Sequence, residues 1–311
     1  MPPNTFRARL ISVGNLTVGG TGKTPVVAWI VNHLAAHGVS VGIALRGYGR
    51  RSKIKTPVVL PVDACGTETL DFVGDEAMLL SEMCPHAPVA VCADRKSAIL
   101  RLQDELGCAV VVLDDAFQQL HLPKIMDIVC LDRIQPLGNE HVFPRGPLRE
   151  PVEALARGTH FLFTKGKPRS RALAQVTEWI PKTQSIFFCE FEILGAYALN
   201  NLLQVVDLRR LKNEAVLLLS SIGNPESFVR SLSAVDIQGK HKIYPDHFLF
   251  TEAEISTLNR WIEKSKFSCI LITEKDAVKL RRWSFCVPCY VIEMELFPPP
   301  EFIEELNRIV C

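Results

Sequence analysis

The chain has 311 residues, enough for one large or two ordinary domains, each with a proper hydrophobic core. Hydrophobic residues make up 48% and charged residues 22%, which excludes a disordered chain, and a net charge of +1 argues against nucleic-acid binding through a basic surface. No apolar run approaches the roughly 18 residues a spanning helix needs, and Met1–Arg9 lacks the apolar core of a signal peptide, so a cytoplasmic address is expected.

Leu10–Val13 reads as a strand. A helix follows from Pro25 to His37, with Val27, Ile30, Val31 and Leu34 at helical spacing and Gly38 as its stop. Val39–Leu45 is the next strand. Beyond a basic, irregular stretch come a helix over Asp75–Met83, a short strand near Pro88–Cys92 and a helix over Ser97–Leu106. Ala109–Leu113, Ile125–Leu131 and His160–Phe163 are continuous apolar runs, the pattern of parallel strands covered by helices on both faces. Polar Thr164–Lys182 looks like a domain edge. The alternation then restarts with strand Ala215–Ser220, helix Ser227–Leu232, strand Lys240–Tyr244, helix Glu252–Glu263, strands Cys269–Thr273 and Tyr290–Glu293, and a last helix over Pro300–Val310. The expected fold is α/β: a P-loop NTPase-like parallel-sheet domain over 1–184, a smaller second α/β lobe over 185–295, and a C-terminal helix in 296–311 packing back on the first domain.

Thr17-Val18-Gly19-Gly20-Thr21-Gly22-Lys23-Thr24 lies between the first strand and the first helix. A glycine-rich loop in that context points backbone N–H groups at anionic oxygens, and the helix dipole adds partial positive charge. Lys23 would reach the β/γ-phosphates and Thr24 would ligate Mg²⁺. Thr17 stands where the G-x-x-x-x-G-K-[ST] template has its first glycine, so Gly19 and Gly20 are expected to supply the backbone freedom.

Asp114-Asp115 ends the apolar run from Ala109, the place of Walker B carboxylates that hold Mg²⁺, with Gln118 and Gln119 close behind. Gly74-Asp75-Glu76 opens a helix: Asp75 is either a helix-start aspartate or a carboxylate that accepts a substrate hydroxyl proton. His247, in Pro245-Asp246-His247, is a loop histidine of either structural or catalytic use. Thr273-Glu274-Lys275-Asp276 with Lys279 reads as a solvated helix start. In Gly146-Pro147-Leu148-Arg149-Glu150-Pro151, Arg149 would stabilise transition-state charge and Glu150 would join the Mg²⁺ shell. The basic run Arg46-Gly47-Tyr48-Gly49-Arg50-Arg51 with Lys53 and Lys55 is a solvated loop or a surface for phosphorylated substrate or anionic lipid; together with Arg7 and Arg9 it is the expected membrane-facing surface. Mean hydropathy of +0.15 leaves room for an apolar patch facing lipid. Cys286 and Cys289 form a C-x-x-C without a second pair, so packing is expected of them as of Cys108, Cys130 and Cys269.

In order along the chain, Ser12–Pro25, Arg46–Gly49, Gly74–Glu76, Leu113–Gln118, Gly146–Pro151, Asp246-His247 and Thr273–Leu280 resemble the tetraacyldisaccharide 4'-kinase family, the lipid A 4'-kinases of Gram-negative bacteria. The resemblance spans residues 10 to about 280 and implies transfer of the ATP γ-phosphoryl group to the 4'-hydroxyl of a tetraacyl glucosamine disaccharide 1-phosphate, giving lipid IVA. It also implies two α/β lobes with the active site in the cleft between them, working at the cytoplasmic face of the inner membrane; with no apolar helix ahead of the first strand here, the membrane contact is expected to be peripheral. By position it makes Asp75 the base and His247 its partner. Lys23 and the loop would hold ATP; Thr24, Asp115 and Glu150 would shape the Mg²⁺ site, with Asp114 and Gln118 close by. The family usually has histidine where Gln119 stands, serine where Leu45 stands, and an apolar membrane helix ahead of the first strand. No metal or nucleotide role is therefore carried over to Gln119 or to His121. The rival functions are a P-loop kinase or ligase acting on a soluble metabolite, and a nucleotide-dependent switch.

Overall fold

The computed structural model describes residues 6–48, 56–60, 67–164 and 170–310. The chain divides into two compact units, Met1–Phe191 with Leu296–Cys311, and Glu192–Glu295.

The first unit contains β1 (Arg9–Gly14), α1 (Lys23–Ala36), β2 (Val41–Leu45), β3 (Val58–Leu60), α2 (Thr67–Val73), α3 (Asp75–Met83), β4 (Val89–Val91), α4 (Arg95–Asp104), β5 (Val110–Asp114), β6 (Lys124–Asp132), β7 (His160–Thr164), α5 (Ser170–Thr177) and β8 (Ser185–Phe188). Its sheet runs β3-β4-β2-β5-β1-β6-β7-β8, parallel throughout except for β3 against β4. Every residue of β2, β5 and β7 is buried, as strands covered on both faces require. One core layer gathers Leu10, Val111 and Leu113 with Ile99 and Leu102 of α4; the other gathers Phe117, Val129, Phe161 and Phe163.

The second chain segment forms β9 (Glu190–Ala198), β10 (Asn201–Val206), β11 (Val216–Ser220), α6 (Pro225–Ser233), β12 (Gly239–Ile243), α7 (Glu252–Ser265), β13 (Cys269–Thr273), α8 (Glu274–Leu280) and β14 (Cys289–Phe297). This sheet runs β10-β9-β14-β13-β11-β12; the four strands from β14 to β12 are parallel and β10 pairs with β9 antiparallel. A capping box at Thr251 and Glu254 starts α7, and Thr273 caps α8. The last helix, α9 (Pro300–Val310), belongs to the first unit, where Phe302 packs against Trp29 and Phe187 and the Val310 carbonyl accepts from Arg9 Nη1.

The division at Phe191/Glu192 lies beyond the expected boundary at 184/185, because β8 still pairs with β7 in the first sheet. A second correction concerns Thr273–Lys279. Asp276 and Lys279 are buried at 0% and 1% exposure, so α8 turns charged residues into the second unit and is no solvated helix start. Cys108, Cys130, Cys269 and Cys289 are buried, whereas Cys286 is exposed. Among the described residues, no helix is long and apolar enough to cross a membrane.

Candidate active site

The carboxyl ends of β1 and β5 come together because Gly14 has no side chain. A Cβ there would stand 2.5 Å from Phe117 Cβ and 2.7 Å from the Phe117 backbone nitrogen. This brings the loop after β1 beside Asp114, Asp115 and Gln118, the position at which open α/β sheets bind ligands. Gln118 Nε2 donates to the Asn15 carbonyl at 3.1 Å, and Asn15 Nδ2 donates to the Thr17 carbonyl at 2.6 Å.

Thr17 is buried and bridges Leu148 in antiparallel fashion, with Val18 N donating to the Pro147 carbonyl at 2.7 Å. A strand-like contact suits a β-branched residue, which explains why no glycine is needed there. Left-handed backbone occurs at Gly19 (φ 108°) and Gly22 (φ 81°), so Gly22 rather than Gly20 is the second position that exploits glycine. Gly22 is the residue before α1, and Thr164 Oγ1 at the end of β7 donates to the Thr21 carbonyl at 2.6 Å.

Three charged groups converge at the end of β5. Lys23 Nζ donates to Asn15 Oδ1 at 3.2 Å and lies 3.6 Å from Asp115 Oδ1. Arg149 Nη1 donates to both Asp115 carboxylate oxygens at 2.8 Å, and the Arg149 backbone N–H donates to the Leu16 carbonyl at 2.8 Å, tying the second loop to the first. Burial alone would raise the Asp115 carboxyl, but the charges of Lys23 and Arg149 outweigh it and hold Asp115 below the usual carboxylate range. Asp115 itself is held at φ 53°, an uncommon backbone for a residue other than glycine.

Asp114 behaves in the opposite sense. It is 2% exposed, no described residue hydrogen-bonds its Oδ1, and burial, then the charges of Glu76 and Asp115, push it up to about 7 against the pull of Lys23 and Arg95. The two adjacent carboxyls are thus pushed in opposite directions, Asp115 toward the ionised form by its cationic neighbours and Asp114 toward the protonated form by burial. Arg95, which sequence reasoning missed, is buried on the first turn of α4 and donates to the Asp114 carbonyl at 2.8 Å and the Cys92 carbonyl at 3.4 Å. A charged residue after the helix cap Asp94 reads as surface; only the tertiary fold places it under the Asp114 carbonyl.

Asp75 is the first residue of α3, follows Gly74 at φ 91°, and is buried. Its Oδ1 accepts from Glu76 N at 2.9 Å. Glu150 is held by Arg157, whose Nη2 donates to both carboxylate oxygens at 2.9 Å while the guanidinium lies 4.8 Å from the centre of the Phe117 ring. His247 belongs to the second unit and sits at φ 60°, with its N–H donating to Asp246 Oδ1 at 3.0 Å. Of the expected basic surface, Arg46 is exposed, Arg7 pairs with Asp104, and Arg9 is tied to Val310. Arg50, Arg51, Lys53 and Lys55 lie outside the described residues.

Among the described residues, no group of three or more His, Cys, Asp and Glu could hold a metal ion by itself. Magnesium does not need one, since it is ordinarily bound through one or two carboxylates, phosphate oxygens and water. Asp115, held toward its ionised form, beside an Asp114 Oδ1 that no described residue hydrogen-bonds, fits that demand.

A parallel sheet with a glycine-rich loop after its central strand, a lysine at the head of the following helix and an aspartate pair on the neighbouring strand defines a P-loop kinase fold. The family model described as Tetraacyldisaccharide-1-P 4'-kinase matches residues 1–311. The tetraacyldisaccharide 4'-kinase of Hydrogenovibrio crunogenus is 31% identical over 306 residues, covering 98% of this chain and 84% of that one. That of Chelativorans sp. is 34% identical over 277 residues, covering 88% and 74%. The crystal structure of LpxK from Aquifex aeolicus in complex with ATP is similar with a TM-score of 0.70 and 26% identity, covering 98% of this chain and 89% of that one. The chain belongs to the tetraacyldisaccharide 4'-kinase family and is a kinase.

Proposed function

We propose that this chain transfers the γ-phosphoryl group of ATP to the 4'-hydroxyl of a tetraacyl glucosamine disaccharide 1-phosphate, the step of lipid A biosynthesis that yields lipid IVA. The observation that carries this reading is the convergence of Lys23 and Arg149 on Asp115, beside a buried Asp114 that is pushed up to about 7. Phosphoryl transfer calls on the protein mainly for positioning and charge neutralisation, and this cluster supplies both. Lys23 and the backbone N–H groups of Thr17–Thr24 hold the triphosphate. Thr24 and Asp115 hold Mg²⁺, which when bound neutralises phosphate charge. Asp114 stands behind it, Gln118 braces the loop through the Asn15 carbonyl, and Glu150 is steadied by Arg157. Arg149 supports Asp115 and the charge developing in transfer. Asp75 accepts the hydroxyl proton, and His247 is a second group on which turnover depends.

The lipid substrate places the reaction at the cytoplasmic face of the inner membrane, reached by peripheral contact with an anionic surface. Exposed Leu202, Leu203 and Val205 on β10 support an apolar component of that contact.

The test is incubation of the purified protein with Mg-ATP and the tetraacyldisaccharide 1-phosphate in detergent, with the product examined by mass spectrometry. A second phosphate at the 4' position is expected. Turnover of ATP with no phosphorylated lipid, or equal transfer to a soluble deacylated sugar, overturns the proposal.

A further inference from the structure

Within the second unit, α8 carries a buried polar cluster beside Ser221, the residue after β11. Lys279 Nζ lies 3.2 Å from Asp276 Oδ1 and donates to Ser221 Oγ at 2.5 Å and to the Ser221 carbonyl at 3.0 Å. Asp276 Oδ1 accepts from Ser221 N at 2.9 Å and from Ser221 Oγ at 2.5 Å, while Thr273 Oγ1 donates to Asp276 Oδ2 at 2.7 Å. A buried charge pair whose remaining polar atoms are this well satisfied is a rigid, orientation-specific joint. It fixes α8 against the end of β11.

The residue before Asp276 uses that rigidity. Lys275 leaves α8 toward the loop after β12, and its Nζ lies 3.1 Å from Asp246 Oδ1, with the lysine side chain only 18% exposed. The same Oδ1 accepts the backbone N–H of His247 at 3.0 Å. His247 is left-handed at φ 60°, a conformation uncommon for a residue other than glycine that persists only where the surroundings impose it. On either side of it, Tyr244, Phe248 and Phe250 pack with ring centres 4.8 to 5.1 Å apart, and Phe248 N donates to the Pro245 carbonyl at 3.2 Å. The His247 imidazole Nε2 is 3.7 Å from Asp246 Oδ2.

We propose that Lys275 is a positioning residue of this kinase: through Asp246 Oδ1 it holds His247 in its left-handed turn and so sets where the imidazole points. The proposal rests on the reading above that turnover depends on His247. Without the ammonium, the Asp246 carboxylate is released toward the neighbouring imidazole, and the turn loses the anchor that opposes its strain.

The experiment compares kcat and KM for Mg-ATP and for the tetraacyldisaccharide 1-phosphate in wild type, Lys275→Met, Lys275→Arg, His247→Ala and the Lys275→Met/His247→Ala double variant. Misplacing a catalytic side chain by about 1 Å costs on the order of 10–10²-fold, so Lys275→Met is expected to lower kcat by at least 10-fold with KM for Mg-ATP unchanged. Lys275→Arg is expected to restore most of it, and the double variant to be no slower than His247→Ala alone. Lys275→Gln serves as a second neutral variant, with thermal unfolding of each protein followed alongside. Wild-type kcat in Lys275→Met or Lys275→Gln while His247→Ala is impaired overturns the positioning role alone. An equal fold-loss from Lys275→Met with and without His247 does so too. Wild-type turnover in His247→Ala overturns the role of His247 itself.

Discussion

Replacing Asp114 by asparagine removes an ionisation that the fold opposes. The carboxyl is pushed from 3.8 to about 7, chiefly by burial, so the native state keeps a proton over a pH range in which the unfolded chain has released it. The unfolded state binds fewer protons there, so the contribution of Asp114 to wild-type stability falls as pH rises from about 4 to about 7 and then levels off. At 1.36 kcal/mol per unit, the penalty is under about 2 kcal/mol near pH 5 and about 4 kcal/mol near pH 8. Asparagine does not ionise, and among the described residues Oδ1 has no hydrogen-bond partner to lose. Relative to wild type, Asp114→Asn should therefore gain about 2–3 kcal/mol on going from pH 5 to pH 8, or roughly 5–10 °C in Tm for a unit of this size. The assay is thermal unfolding of both proteins without nucleotide across that range. A Tm difference independent of pH would mean that the fold does not hold a proton on Asp114 across this range.

Asp115, held low by Lys23 and Arg149, gives the reverse dependence: its stabilising contribution is present above the ordinary carboxylate pKa and is lost as pH falls through the lowered value. Arg149→Met should weaken that loss, seen as a flatter acid limb in the same unfolding experiment. Gly14→Ala should destabilise by about 1–3 kcal/mol or more, because the new methyl meets the Phe117 backbone, and urea unfolding measures it. Lys279→Met should cost about 3–5 kcal/mol by leaving the buried Asp276 carboxyl without its cationic partner, again read from urea unfolding.

The first unit was legible where burial leaves an unbroken signal. Continuous apolar runs announced β2, β5, β6 and β7, and the expected helix over Asp75–Met83 coincides with α3. Short or exposed elements were not. β3 has three residues, and β10 carries its apolar side chains exposed, so neither periodicity nor continuity marks it. β8 and β9 lie beyond a polar stretch that looked like a domain edge, and the first sheet takes one more strand before the chain leaves it. In the site, the glycine-rich loop with Lys23 announced a nucleotide-binding kinase, while the metal role expected of Asp114-Asp115 belongs to the proposal. What they do not contain is tertiary: which of two adjacent aspartates is buried, that Arg95 underlies one of them, and that Lys279 and Asp276 face inward. A charged residue in a helix reads the same on either face until the strand beneath it is known.

On the proposed function, the Lys23–Asp115–Arg149 cluster serves transfer to a hydroxyl whose proton goes to Asp75. Wild type and Asp75→Ala, given γ-labelled ATP, Mg²⁺ and the tetraacyldisaccharide 1-phosphate, test it directly. Asp75→Ala should bind ATP nearly as well as wild type while its kcat for 4'-phosphorylated product falls at least ~10²-fold, the loss expected for a general base. Wild-type transfer by that variant would remove Asp75 from the reaction.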